Sequence, residues 1–135
     1  MVERKVVVTG IGAISPLGLD LASTWDGLKN GRSGIGPVTQ VDPEPFPCKI
    51  AGEVREFDPK PFFKNPKDAR RADRYAQLAV AAARMALEDS GLDPEKVDKP
   101  ERVGVMVGSG IGGLATLENQ HSVYLERGAG RVSPF

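Results

Sequence analysis

Between Ala76 and Leu87 every side chain is apolar except Gln77 and Arg84. The stretch is alanine-rich and free of Gly and Pro, so it reads as helix, the middle of a longer run over 68–90. A surface helix keeps an apolar stripe on one side and a polar face on the other. A helix that is apolar nearly all round has to be packed from several directions, inside a larger body. That requirement excludes an isolated two-layer module more firmly than any other feature of the chain. Gly91 follows as a left-handed C-cap and Pro94 as a helix stop.

The rest of the chain alternates around this helix. Val6-Val7-Val8-Thr9 is a short apolar run between charges and Gly10, the pattern of a buried strand. A Gly-rich connection follows, Gly10-Ile11-Gly12-Ala13-Ile14-Ser15-Pro16-Leu17-Gly18. Asp20 is the expected N-cap of a helix over 21–29, with Asn30-Gly31 as its C-cap. Four prolines between 32 and 58 make that region irregular, apart from a short strand expected within 48–54. Val103-Gly104-Val105-Met106-Val107 reads as a second buried strand, and a helix over 114–127 follows the turn Gly108-Ser109-Gly110-Ile111-Gly112-Gly113. The order is strand, helix, small strand, helix, strand, helix, which is α/β alternation without an obvious linker. Gly and Pro make up a fifth of the 135 residues and mark turns rather than low complexity.

Composition narrows the function classes. Eighteen basic residues balance eighteen acidic ones, which argues against nucleic-acid binding through bulk charge. One cysteine excludes a disulfide framework and a Cys-based zinc site. No apolar run is long enough to span a membrane, and a reducing, cytosol-like compartment is expected.

Several motifs invite a chemical reading. Gly108, Gly110 and Gly113 fit the G-x-G-x-x-G dinucleotide fingerprint after an expected strand and before an expected helix. The fingerprint also needs an acidic residue about 20 positions on, at the end of a second strand. That zone is Arg131-Val132-Ser133-Pro134. The fingerprint is therefore incomplete, and these glycines are read as backbone packed close to something else, with a nucleotide-binding module kept as the alternative from a different class. Cys48, the single thiol, lies in a strand-like stretch beside Lys49, which suits a buried structural cysteine better than a nucleophile at a helix N-terminus. His121, the single histidine, is read as a helix-surface or interface residue. Asp20, Asp42 and Glu53 form no carboxylate pair. Lys64, Lys67, Arg70, Arg71 and Arg74 outnumber Asp68 and Asp73, and at helical spacing 67, 70 or 71, and 74 share a face. Either this is a solvated face or it is a docking patch for an acidic protein, since no aromatics are interleaved to stack bases.

Taken together, these segments resemble the opening of the β-ketoacyl-acyl-carrier-protein synthases. The resemblance rests on Val6-Val7-Val8-Thr9-Gly10-Ile11-Gly12, Ser15-Pro16-Leu17-Gly18, Ser23-Thr24-Trp25 and Gly31-Arg32-Ser33-Gly34-Ile35. It continues through Ala86-Leu87-Glu88-Asp89-Ser90-Gly91-Leu92, Arg102-Val103-Gly104, Gly108-Ser109-Gly110-Ile111-Gly112-Gly113-Leu114 and Arg131-Val132-Ser133-Pro134-Phe135, in one register over the whole chain. It is closest to the type II synthase of the dissociated fatty-acid pathway.

The resemblance implies a thiolase-like layered α/β/α/β/α fold, of which this chain holds the first part, and a homodimer. It implies a decarboxylating condensation of an acyl thioester with malonyl-acyl-carrier protein, performed by a cysteine at a helix N-terminus and two histidines. Those catalytic residues are expected beyond Phe135, since neither Cys48 nor His121 matches their motifs. By implication Ile111 gates acyl-chain length and Phe135 lines the acyl tunnel at the dimer interface. Lys67, Arg70 and Arg71 match the patch that meets the acidic acyl-carrier protein, and Arg131 matches a further basic contact. No resident cofactor or metal is implied, because phosphopantetheine arrives on the carrier. A polyketide-type ketosynthase, or a non-catalytic relative, is the neighbouring alternative. The resemblance implies a cytoplasmic enzyme and leaves an organelle stroma or matrix open.

Overall fold

The computed structural model describes residues 5–134. The first element, α1 (Leu21–Lys29), begins and ends where its local chemistry dictates. The Asp20 carboxylate accepts the backbone N–H of Ser23 at 2.7 Å, and the Ser23 hydroxyl accepts the Asp20 N–H at 3.4 Å. This reciprocal box satisfies two of the orphan donors of the first turn. The Ser23 N–H holds the Asp20 carboxyl below its ordinary range, helped by the Ser23 hydroxyl. Asn30 closes the helix and Gly31 turns the chain at φ 61°. Ahead of α1, Ser15 and Gly18 pair across a tight turn, and the Thr24 hydroxyl donates to the Gly18 carbonyl at 3.1 Å.

The irregular region folds into a small antiparallel ribbon, β1 (Ile35–Pro37) against β2 (Ile50–Gly52), with Gly36 opposite Ala51. The strand expected over 48–54 is thus paired at its centre only. Glu53 locks the ribbon to the following loop. Its carboxylate accepts the Thr39 N–H at 2.9 Å, the Thr39 hydroxyl at 2.7 Å and the Gln40 N–H at 3.3 Å. Arg55 bridges Glu53 to the Pro37 carbonyl. Cys48 is exposed at the ribbon's edge, its thiol directed at the Ile50 carbonyl at 3.5 Å. The expectation of a buried cysteine fails because the ribbon has no layer over that edge among the described residues.

The single helix expected over 68–90 is two helices. Asn65 caps α2 (Pro66–Arg71) by accepting the Lys67 N–H at 3.0 Å, with Pro66 at the first helical position. Ala72 and Asp73 are extended, and α3 (Arg74–Ser90) starts afresh. The break is stabilised from inside α3. Gln77 donates its amide to the Ala69 carbonyl at 2.8 Å and to the Ala72 carbonyl at 3.0 Å, supplying partners to carbonyls that a helix end would otherwise leave open. Arg74 turns inward: it donates to the Val54 carbonyl at 2.8 Å and lies 5.0 Å over the ring of Phe57, which stacks on Phe62.

At its other end α3 stops at Gly91, φ 66°, as its sequence predicts. Its alanine stripe carries the first Gly-rich connection. A Cβ on Gly10 would run into the Ala86 carbonyl and one on Gly12 into the Ala82 carbonyl, so residues 10–12 lie directly on the helix backbone. The Ile11 N–H donates to Asp89 at 2.8 Å. The expectation of a helix buried all round is nevertheless met only in part. Ala69 and Ala81 are the fully buried apolar side chains among the described residues, and the rest of α3 is half-buried or exposed.

Neither expected apolar strand is paired. Val6 is 94% exposed and Met106 is 96% exposed, and the runs 6–9 and 103–107 pair with no strand among the described residues. A strand exists only where an adjacent strand takes its N–H and C=O groups, so strongly strand-forming sequence stays unassigned here. The last helix, α4 (Leu114–Arg127), has the expected bounds and ends at Gly128, φ 79°. A 3₁₀ turn over Ala129–Arg131 follows, and the Ser133 N–H returns to Gln120 on α4 at 2.7 Å.

Candidate functional site

Two features with functional potential share the α2–α3 junction. The first is basic. Lys67, Arg70 and Arg71 are all exposed on α2, while Ala69 faces inward and anchors the helix. Arg70 and Arg71 occupy its last turn, where positive charge complements the carbonyl end of the helix. None of the three forms an ion pair among the described residues. Their guanidinium and ammonium groups are therefore available to an acidic surface. Arg74 is not part of this face, contrary to the spacing argument, because the break at 72–73 rotates it toward Phe57. Arg131 is also exposed but sits on the separate 3₁₀ turn after α4.

The second feature is the Gly-rich turn before α4. Ile111 projects from it, 76% exposed. The turn is held on one flank by the Ser109 hydroxyl, which accepts the Gly112 N–H at 3.1 Å, and Gly112 adopts φ 82°. On the other flank Gly113 is the N-cap of α4 and has no side chain to offer. The cap comes from elsewhere: Asp73 accepts the Thr116 N–H at 3.3 Å. A Cβ at Gly113 would collide with that same carboxylate, so a side chain there would displace the cap. A Cβ at Gly108 or Gly110 would meet nothing, so these two glycines are not places of close packing, unlike Gly10 and Gly12. The strand that a dinucleotide fingerprint requires ahead of Gly108 is missing among the described residues.

The remaining sequence candidates are dispersed. Cys48 is on the ribbon and His121 is exposed on α4. Asp20 caps α1, Asp42 accepts the Glu44 N–H at 3.1 Å and Glu53 clamps the ribbon, so each scattered acid has a local structural partner. Phe135 lies outside the described residues. Among those residues no cluster of three or more His, Cys, Asp or Glu side chains is placed to hold a metal, and no helix is long and apolar enough to cross a membrane. Sequence reasoning passed over Asp73 and Gln77. The available signal was a helix-favouring run interrupted by a residue that prefers N-caps, and a downstream N-cap glycine without a capping group of its own.

Two solved structures with this arrangement are ketosynthases, and the chain has the thiolase-like fold of condensing enzymes, in its N-terminal part. The ishigamide ketosynthase/chain length factor superposes with a TM-score of 0.76 at 34% identity, over 97% of this chain and 32% of that one. A type II polyketide-synthase ketosynthase, solved in complex with its acyl-carrier protein, superposes with a TM-score of 0.72 at 26% identity, over 98% of this chain and 33% of that one. The family model of the β-ketoacyl synthase N-terminal domain matches residues 3–135, and the chain belongs to this family. It is 44% identical over 133 residues to 3-oxoacyl-[acyl-carrier-protein] synthase 2 of Synechocystis sp., covering 98% of this chain and 32% of the relative. It is 44% identical over 135 residues to the synthase 2 of Coxiella burnetii, covering 100% and 32%. The chain thus spans about a third of the length of the curated relatives it matches.

Proposed function

We propose that this chain is the N-terminal part of a 3-oxoacyl-acyl-carrier-protein synthase of fatty-acid elongation. The reaction transfers an acyl group from its carrier to an enzyme cysteine. Malonyl-carrier then loses carbon dioxide, and the carbanion left at its C2 attacks the acyl thioester. A carbon–carbon bond forms, the cysteine thiolate leaves, and the 3-oxoacyl product stays on the carrier. Cys48 and His121, exposed on separate elements, are not placed for that chemistry. The share of this chain is recognition. Ile111 forms the wall that sets acyl length, and Phe135 lines the tunnel at the interface of a homodimer. Lys67, Arg70, Arg71 and Arg131 receive the acidic carrier, which brings its own phosphopantetheine, so the protein needs no resident cofactor. A cytoplasmic location accords with this role.

The observation that carries the reading is the α2 face: three cations, exposed and without an ion pair among the described residues, at the positions to which the sequence resemblance assigns the carrier patch. Electrostatic complementarity of this kind steers encounter and fixes orientation. The test is the double variant Arg70→Glu/Arg71→Glu in the enzyme-length polypeptide. The KM for carrier-bound substrate is expected to rise at least tenfold, while turnover of a short pantetheine thioester, which has no acidic surface, is unchanged. Unaltered carrier kinetics in that variant contradict the docking assignment. A second reading, a polyketide-type ketosynthase or a non-catalytic relative, is favoured by the two structural neighbours named above, a ketosynthase/chain length factor and a type II polyketide-synthase ketosynthase. Repeated extension of one acyl chain without reduction of its keto groups distinguishes it.

A further inference from the structure

We infer that Asp73 is a positioning residue for acyl-length selection: by capping α4 from outside, its carboxylate sets the resting place of the turn that carries Ile111. The inference rests on the reading of Ile111 as the wall of the acyl pocket, and it adds the element that holds the wall. Asp73 stands in the N-cap position of α3, yet its side chain makes no capping bond to that helix. It is spent on α4, forty-three residues further along the chain. A carboxylate at the N-terminus of a fourteen-residue helix meets both an unpaired N–H and the positive end of the helix dipole.

Asp73 is in turn fixed by its neighbours. Arg74 is held by the Val54 carbonyl and the ring of Phe57, and the Gln77 N–H donates to the Asp73 carbonyl at 3.0 Å. The same Gln77 side chain grips the end of α2. Ile111 sits two residues before Gly113, inside the turn that the Ser109–Gly112 bond closes, and the Asp73–Thr116 bond holds the start of the helix that follows. Loss of the Asp73 bond frees one of the two flanks.

The experiment uses the enzyme-length polypeptide and four variants: Asp73→Ala, Asp73→Asn, Gly113→Ala and the double Asp73→Ala/Gly113→Ala. Two quantities are read, amide exchange at 115–117 and the chain-length distribution of products. Asp73→Ala is expected to speed exchange at Thr116 about tenfold, the loss of a charge-assisted hydrogen bond, and to broaden the product distribution. Asp73→Asn keeps an acceptor oxygen and is expected to stay close to the parent in both. Gly113→Ala keeps the carboxylate but pushes it off Thr116, so it is expected to reproduce Asp73→Ala. The double variant is expected to be no worse than either single one, because both remove the same bond. Should Asp73→Ala not accumulate, Gly113→Ala against Asp73→Asn carries the same comparison.

Unchanged exchange in Asp73→Ala or Gly113→Ala overturns the cap. Faster exchange with an unaltered product distribution overturns the link to selectivity. Ile111→Phe serves as the reference. If it moves the distribution and Asp73→Ala does not, the role of Asp73 alone is lost. If neither moves it, the Ile111 reading falls and this inference with it.

Discussion

Replacing Gln77 by Ala removes the two bonds that hold the end of α2 against α3, at 2.8 Å to Ala69 and 3.0 Å to Ala72. Each is a neutral side-chain bond to a backbone carbonyl at a partly buried site. Such a bond contributes about 1 kcal/mol net, so the pair contributes about 2 kcal/mol to keeping α2 docked. With 1.4 kcal/mol to each factor of ten, the open population of α2 should rise roughly thirtyfold. Gln77→Glu should be worse, because a carboxylate oxygen then faces both carbonyls where a donor stood. Hydrogen–deuterium exchange followed by peptide mass spectrometry reads this directly. Peptides covering 66–72 should exchange about thirtyfold faster in Gln77→Ala, while the centre of α3 around Ala81 keeps its protection. Equal acceleration across both helices would mean that the variant loosens the whole fold. No acceleration at 66–72 would refute the claim that Gln77 joins the two helices.

Two further outcomes follow from the same structure. On the proposed reading of Ile111 as the wall that sets acyl length, Ile111→Phe is expected to shift products to shorter chains, read by mass spectrometry of the acyl carriers. The Thr39 N–H, with the Thr39 hydroxyl and other donors, holds the Glu53 carboxyl at about 2, well below its ordinary 4.5. A depressed folded value means the clamp's contribution to stability is complete above about pH 4.5 and is lost as pH falls from 4.5 toward 2, while the folded carboxylate itself stays ionised until about 2. The Thr39 amide resonance should accordingly titrate with a midpoint near 2, and Glu53→Gln should abolish the titration; a midpoint near 4.5 would show that the carboxylate is unclamped.

Legibility in the sequence followed the range of the interactions. The bounds of α1 and α4 could be read because their determinants are adjacent to them: Asp20 with Ser23, Asn30 with Gly31, and Gly128 after Arg127. Lys67, Arg70 and Arg71 could be read as a basic helix from charge spacing alone. Arg74 could not be separated from them, since its departure depends on Phe57 and Val54, seventeen and twenty positions away. The apolar runs 6–9 and 103–107 have strand composition, but pairing is a property of two segments and not of one. The significance of Gly113 was hidden for a similar reason: the group that excludes a side chain there is Asp73, from another helix. The alanine-rich stretch of α3 reads as a helix packed from several directions, and residues 10–12 lie against one of its sides; the close backbone approach expected at Gly108 and Gly110 is found instead at Gly10 and Gly12.

That approach has a consequence for recombining condensing enzymes. The glycines at 10 and 12 and the alanines at 82 and 86 are complementary halves of one backbone-to-backbone contact, reinforced by the bond from Ile11 to Asp89. A side chain on either glycine has no room unless the helix backbone retreats. Chimeras of this chain with its relatives should therefore exchange the segments 6–18 and 74–91 together. A crossover placed between them joins two surfaces shaped by different partners, however well each segment is chosen on its own.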